Sequence, residues 1–250
     1  MILLTFNIYK PDFLSKKIQQ VSYENWAKTE EKNIDTILKN LQKHEVFATF
    51  FVTVPLVELL QNTLLLITKS GHEIALYYDG EDFTQVKSAK IFLEKLTGKT
   101  IKGIRQKEHA ISVNSVQELG CNYLSEIDKS DAFFMFKKLE RNTQISEEKG
   151  IQIIPESISS ISQLPINEFV FQYVPISYYN NMILETLRNN DFLQFYLDSW
   201  QFSDFKNPEI SLPFYKRYNL GSSLNQKFTA FLQFCEEKEI AISRVKDYLF

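Results

Sequence analysis

Histidine, the side chain best placed to move protons or hold metal near neutral pH, is scarce in this chain: His44, His72 and His109 are the only three in 250 residues. No two stand at the i, i+4 spacing that puts two imidazoles on one helix face, and a zinc site usually needs three protein ligands. His44 ends a helical pattern and reads as a C-terminal cation or a surface residue. His72, in Gly71-His72-Glu73, reads as a turn or cap residue, and His109 lies in a polar loop where a binding role stays open. Two cysteines, Cys121 and Cys235, supply neither a disulfide framework nor a cysteine-rich zinc site. Acidic side chains are the richer source, with Asp79, Glu81 and Asp82 close together and Glu126 and Asp198 after apolar runs. Such oxygens suit a hard cation like Mg²⁺ or Ca²⁺, although a solvated acidic loop has the same composition. Arg105 is expected to face Asp198, Glu126 or an anionic ligand. Tyr9, Tyr77, Tyr78 and Trp200 carry flat rings with polar tips, suited to stacking on sugar faces. The 21 Phe and 12 Tyr of the chain, however, place aromatics near any site.

The elements that would position these groups follow from hydrophobic periodicity. Ile2–Tyr9 reads as a short buried strand closed by Pro11 and Asp12. Ser15–Lys32 is polar, carries Trp26 and has no clear period. Ile34, Ile37, Leu38 and Leu41 then give one apolar helix face. A second strand is expected at Ala48–Val52, a helix through Leu64–Ile67 to Gly71, and a third strand at Glu73–Tyr78. A helix through Ala89–Leu96 closes at Gly98, a residue suited to a helix C-terminus. Strands are expected at Ile101–Arg105, Cys121–Ile127, Ile151–Ile154, Phe169–Tyr173 and Phe192–Leu197. Val113–Leu119 reads as a helix and Ser146–Gly150 as a turn, while the rest of Lys129–Ser162 stays unassigned. Ser177 is expected to cap a helix carrying Ile183, Leu184 and Leu187, and Leu224–Cys235 gives a last amphipathic helix. Repeated strand–helix units imply parallel strands covered by helices, and their number favours an α/β barrel, whose working residues sit at the C-terminal strand ends. No repeat or linker divides the chain, so residues 1–250 read as one domain.

Composition narrows the function classes. Lys and Arg number 28 against 31 Asp and Glu, for a net charge of −3, which argues against nucleic acid, whose phosphates need a basic face. Phosphate-binding glycine motifs do not occur. The start, Met1-Ile2-Leu3-Leu4, lacks the basic flank of a signal peptide, and Val46–Leu60 is too short and polar to span a bilayer. A soluble cytoplasmic protein without a membrane span is the expectation.

Several strings at the expected strand ends resemble the polysaccharide deacetylases of carbohydrate esterase family 4, the nodulation-factor deacetylase type. They are Leu4-Thr5-Phe6, His44 to Val52 (HEVFATFFV), Gly71-His72-Glu73-Ile74-Ala75, Leu93 to Lys99 (LEKLTGK) and Gly103-Ile104-Arg105. Phe195-Tyr196-Leu197-Asp198-Ser199-Trp200 resembles a late strand-end motif of the family. The resemblance implies a distorted (β/α)7 barrel and hydrolysis of N-acetyl groups on sugars. The family's divalent ion, usually zinc, polarises the carbonyl and activates water, an Asp acts as base and a His as acid.

Carried over position by position, the resemblance puts Asn7 where the base stands, with Ile8 and Tyr9 unable to replace the acidic ligand. Tyr77 and Glu81 fall where the metal histidines stand. Arg105 is kept, Lys107 replaces the proline after it, and Asp198 replaces the acid histidine, with Trp200 retained beside it. No catalytic residue, metal site or cofactor is therefore expected. Tyr9, Tyr77, Tyr78, Arg105, Lys107 and Trp200 are the candidate substrate-binding residues. The first expectation is a degenerate deacetylase homologue that binds a glycan or partner in cell-surface polysaccharide production. The alternatives are a hydrolase rebuilt on Asp198, Glu126, Arg105 or the Asp79–Asp82 loop, and a scaffold for polysaccharide-synthesis proteins.

Overall fold

A computed structural model describes residues 1–12, 21–107, 109–127, 143–205 and 212–250. Strand β1 (Ile2–Ile8) is second from one end of a curled sheet. Around it run β2 (Thr49–Thr53), β3 (Glu73–Tyr78), β4 (Gly103–Gln106), β5 (Tyr123–Glu126), β7 (Ile151–Ile154) and β8 (Leu193–Asp198). These seven, in the order β8-β1-β2-β3-β4-β5-β7, pair in parallel. The hairpin strand β6 (Ser146–Glu148) pairs antiparallel with β7 at one edge, and the short β9 (Ile242–Ser243) pairs with the start of β1. Between β7 and β8 closure is made by side chains. Ser157 Oγ accepts from the Gln194 amide at 2.7 Å and Tyr196 Oη donates to Glu156 at 2.9 Å. This is the distorted, seven-stranded α/β barrel that the resemblance implied.

Strand alternation sorts the side chains. Ile2, Leu4, Phe6 and Ile8 face outward, into the layer shared with helices, whereas Leu3 belongs to a separate cluster with Phe51, Tyr77, Tyr123 and Tyr196 inside the barrel. The helical layer is led by α1 (Tyr23–Lys43), capped by Ser22, whose Oγ accepts from the Asn25 amide. It continues through the single turn α2 (Val54–Val57), α3 (Gln61–Lys69), α4 (Phe83–Thr97) and α5 (Val113–Glu118). Helices α6 (Glu168–Tyr173), α7 (Ile176–Asn189), α8 (Ser222–Glu237) and α9 (Val245–Leu249) follow. Gly98 ends α4 in the left-handed region at φ 65°, which a residue without Cβ enters at little cost. Gly103 is required for space, since a Cβ there would overlap the Tyr123 ring inside the barrel.

Several expectations need correction. Phe169–Tyr173 is helical, not a strand: Asn167 Oδ1 accepts the Val170 amide at 3.0 Å and starts α6. Its apolar residues include Val170 and Phe171, which are buried, so the aromatic run reflects burial rather than extension. Helix α7 is preceded by Pro175 rather than Ser177, as expected of a proline's tolerance at a helix start. Ser146–Glu148 forms the edge strand, with only the following residues turning. The polar Ser15–Lys32 stretch holds the start of α1, and residues 13–20 and 128–142 lie outside the described set. Among the described residues no helix is long and apolar enough to cross a membrane.

Candidate functional site at the barrel mouth

The register brings the sequence candidates together. Asn7 on β1 lies opposite Asp198 on β8, and Tyr77 on β3 lies opposite Arg105 on β4. All four are almost wholly buried. Arg105 does not meet a carboxylate directly, as had been expected. Its Nη1 donates to Asn7 Oδ1 at 2.7 Å, its Nη2 to Gln194 Oε1 at 2.9 Å and its Nε to Ser125 Oγ at 3.0 Å. Its guanidinium lies 3.8 Å from the Phe51 ring centroid, a cation–π contact strengthened by desolvation. Burial lowers the Arg105 pKa to about 10, so it remains charged at neutral pH. Glu126, another expected partner, instead accepts from Gln106 Nε2 at 2.7 Å.

Asn7 passes the contact onward. Its Nδ2 donates to Asp198 Oδ1 at 2.9 Å, while Tyr9 Oη and Trp200 Nε1 donate to Asp198 Oδ2 at 2.7 and 3.1 Å. Burial raises the Asp198 pKa, and nearby Glu168 adds to the rise, while Lys107, Tyr9 and Asn7 oppose it. The ring of Tyr9 stacks on Tyr77, with centroids 5.6 Å apart and 16° between planes. Burial raises both phenol pKa values, so both rings stay neutral. Trp200 and Tyr77 are 0% and 2% exposed, so they cover the carboxylate instead of offering open faces. Tyr78, next in the strand, packs against the helical layer.

Lys107 and Glu168 complete the cluster. Lys107 Nζ lies 3.4 Å from Glu168 Oε1, and the side chains are 11% and 3% exposed. Burial alone would lower the Lys107 pKa, but Glu168, Asp198 and Tyr77 outweigh it and raise it. Glu168 was not among the sequence candidates. It opens α6 one residue after the Asn167 cap, and the only sequence signal was that asparagine followed by an acidic residue.

The positions that the resemblance assigns to a divalent ion do not fit one. Asn7 Oδ1 is engaged by Arg105, Ile8 faces the outer layer, and Tyr77 is a neutral phenol. Glu81 Oε2 accepts the Asp79 amide at 2.8 Å in its own loop. Asp82 caps α4, accepting the Thr84 amide at 2.8 Å. The oxygen-only site considered for Asp79, Glu81, Asp82 and Asp198 is thus not assembled, and among the described residues no group of three His, Cys, Asp or Glu side chains is arranged to hold a metal. Arg105 and Lys107 place cationic charge at the mouth.

The histidines lie elsewhere. His72 is buried and its Nδ1 accepts the Ala48 amide at 3.2 Å. Burial, with Arg244 nearby, lowers its pKa to about 4, so it is neutral at pH 7. His44 caps α1 and sits 3.3 Å from Glu236. His109 lies against Gly80 on an exposed loop.

Comparison with solved structures defines the class of fold. BA3943 of Bacillus anthracis, described as a pseudoenzyme of carbohydrate esterase family 4, matches with a TM-score of 0.55 at 10% identity, over 100% of this chain and 65% of that chain. The Bc1960 peptidoglycan N-acetylglucosamine deacetylase matches with a TM-score of 0.53 at 16% identity, over 98% of this chain and 86% of its own. The peptidoglycan deacetylase PdaC of Bacillus subtilis matches with a TM-score of 0.51 at 10% identity, over 97% and 85%. This chain therefore has the barrel fold of the polysaccharide deacetylases, and it spans about two thirds of the BA3943 chain. No protein-family model matches the sequence, and comparison with curated proteins finds no match.

Proposed function

We propose that this chain is a divergent, catalytically degenerate polysaccharide deacetylase homologue that binds a glycan in cell-surface polysaccharide metabolism. The observation that carries the reading is the state of Asp198. It stands where the resemblance places the acid histidine, fully buried and holding Asn7, Tyr9 and Trp200 as donors. A group so enclosed has no free approach for an incoming water or a departing amine, and Arg105 and Lys107 take the electrostatic place of a metal. General acid–base work needs the acid within hydrogen-bond reach of the reacting group. The glycan part is supported by the fold neighbours, whose names include peptidoglycan deacetylases and a xylanase-associated domain. A mutant of BA3943 is described as a pseudoenzyme with restored enzymatic activity, so loss of function within this fold has a counterpart.

The test is acetate release from N-acetylglucosamine oligosaccharides with Zn²⁺ present, run beside a calorimetric titration of the same sugars. No release above the protein-free control is expected, together with a measurable binding heat. Release that saturates with substrate sinks the degenerate reading, and the absence of binding heat sinks the glycan reading. The Lys107–Glu168 pair beside Asp198 supports a second reading, a hydrolase rebuilt on these side chains. That reading predicts release that needs no metal and disappears in Lys107→Met.

A further inference from the structure

Among the described residues the run of parallel strands ends at β7 and β8, which share no ladder of backbone hydrogen bonds. Side chains from the segment after β7 close this seam. Ser157 Oγ accepts the Gln194 amide at 2.7 Å, and Glu156 Oε1 accepts from Tyr196 Oη on β8 at 2.9 Å and from Asn167 Nδ2 at 3.2 Å. Asn167 is also the cap of α6, its Oδ1 accepting the Val170 amide at 3.0 Å. Ile166, just before it, donates its amide to the Ser157 carbonyl at 2.8 Å. One buried carboxyl therefore ties the seam to the helix that presents Glu168 to Lys107. The groups facing it are Tyr196 from β8, Asn167 and Glu168 at the start of α6, and Lys107 after β4.

From this arrangement we propose that Glu156 is a proton-controlled latch: while its carboxyl is neutral the seam and the start of α6 stay closed, and its ionisation lets them open. A protonated carboxyl keeps an oxygen able to accept two donors, which is the use made of Oε1 here. An ionised one needs more solvation than a buried site supplies. Neighbouring Glu168 repels it, and Lys107 offsets only part of this because it is paired with Glu168. Burial, with Glu168 adding to it, raises the Glu156 pKa from 4.5 to about 7, against the bonds from Tyr196 and Asn167 and the charge of Lys107. The closed state thus holds the proton more tightly than an open, hydrated state does. Opening is favoured progressively as pH rises from about 4.5 to about 7 and levels off above. Because Asn167 belongs to both the seam and α6, opening also loosens the Glu168–Lys107 pair beside Asp198.

The test is amide hydrogen exchange followed by NMR from about pH 5.5 to about pH 8.5, each rate divided by the intrinsic rate of an unprotected amide at that pH. The Gln194, Ile166 and Val170 amides report on the seam and α6, and the amides of β2 and β3 report on opening elsewhere. Over this range protection at the seam is expected to fall by about tenfold or more, and by clearly less in β2 and β3. Glu156→Gln, which keeps the acceptor oxygen and cannot ionise, is expected to remove the excess fall at the seam. Seam protection that does not change with pH, or that falls no more than in β2 and β3, overturns the proposal. That contrast is read in the wild-type protein and decides the matter even if the variant does not fold. An excess fall of the same size in Glu156→Gln also overturns it, because another group would then control the seam.

Discussion

Asn7 is the link between Asp198 and Arg105 inside the barrel. Its amide donates to Asp198 and accepts from Arg105, so Asn7→Asp turns a donor facing Asp198 into a second acceptor. Two buried carboxylates in contact cannot both ionise easily. The variant is expected to release no acetate even with zinc present, and to lose about 1–3 kcal/mol of stability at pH 7 by denaturant titration. The deficit should narrow as pH falls and the carboxyl pair takes up a proton. Full stability at pH 7 would show that Asn7 is not the bridge described.

Glu30 gives a second test at the same scale. It is fully buried in α1, and burial raises its pKa from 4.5 to about 8, with Asp198 adding to the rise and hydrogen bonding to Ser199 and Asn33 opposing it. A carboxyl whose folded pKa is raised binds more protons folded than unfolded, so stability falls as pH rises between the two values. The loss therefore develops from about pH 4.5 to about pH 8 and then levels off. Glu30→Gln, neutral throughout, should flatten that slope in a series of unfolding curves. An unchanged slope would mean that Glu30 does not remain protonated in the fold.

Among the elements, α6 is decisive because it delivers Glu168 to Lys107. Asn167 caps it and also donates to Glu156 Oε1 at 3.2 Å. Asn167→Ala is expected to cost about 1–2 kcal/mol, read from the unfolding midpoint. A neutral effect would leave α6 held by packing alone. This is also where the sequence was least legible. Phe169, Val170, Phe171 and Tyr173 are β-prone and apolar, and over so short a run helix and strand patterns overlap. The long helix α4 and strand β3 were readable, the first by its apolar spacing and terminal Gly98, the second by an unbroken buried run. Arg105 was recognised as an inward-facing residue, but its neutral partners come from β1, β5 and β8. Such long-range pairing leaves no local pattern.

Over the whole molecule, the inner and outer faces of the strands meet different demands. The outer faces of the strands meet the helices through Leu4, Phe6, Phe50, Leu76, Ile104 and Leu197, and their demands for volume and apolarity keep recognisable strings in place. Inside the barrel, Asn7, Arg105, Ser125 and Gln194 satisfy one another. Buried polar groups need such partners. The barrel was thus foreseeable from the packing strings. The closing of the mouth by Tyr77, Trp200 and the Lys107–Glu168 pair required the three-dimensional arrangement.

The most direct test is the zinc content of tag-free protein after incubation with zinc and removal of the excess. A barrel opening whose donors are already engaged with one another should retain far less than one zinc per chain. One tightly held zinc per chain, lost when Asp198 or Tyr77 is substituted, would contradict the account.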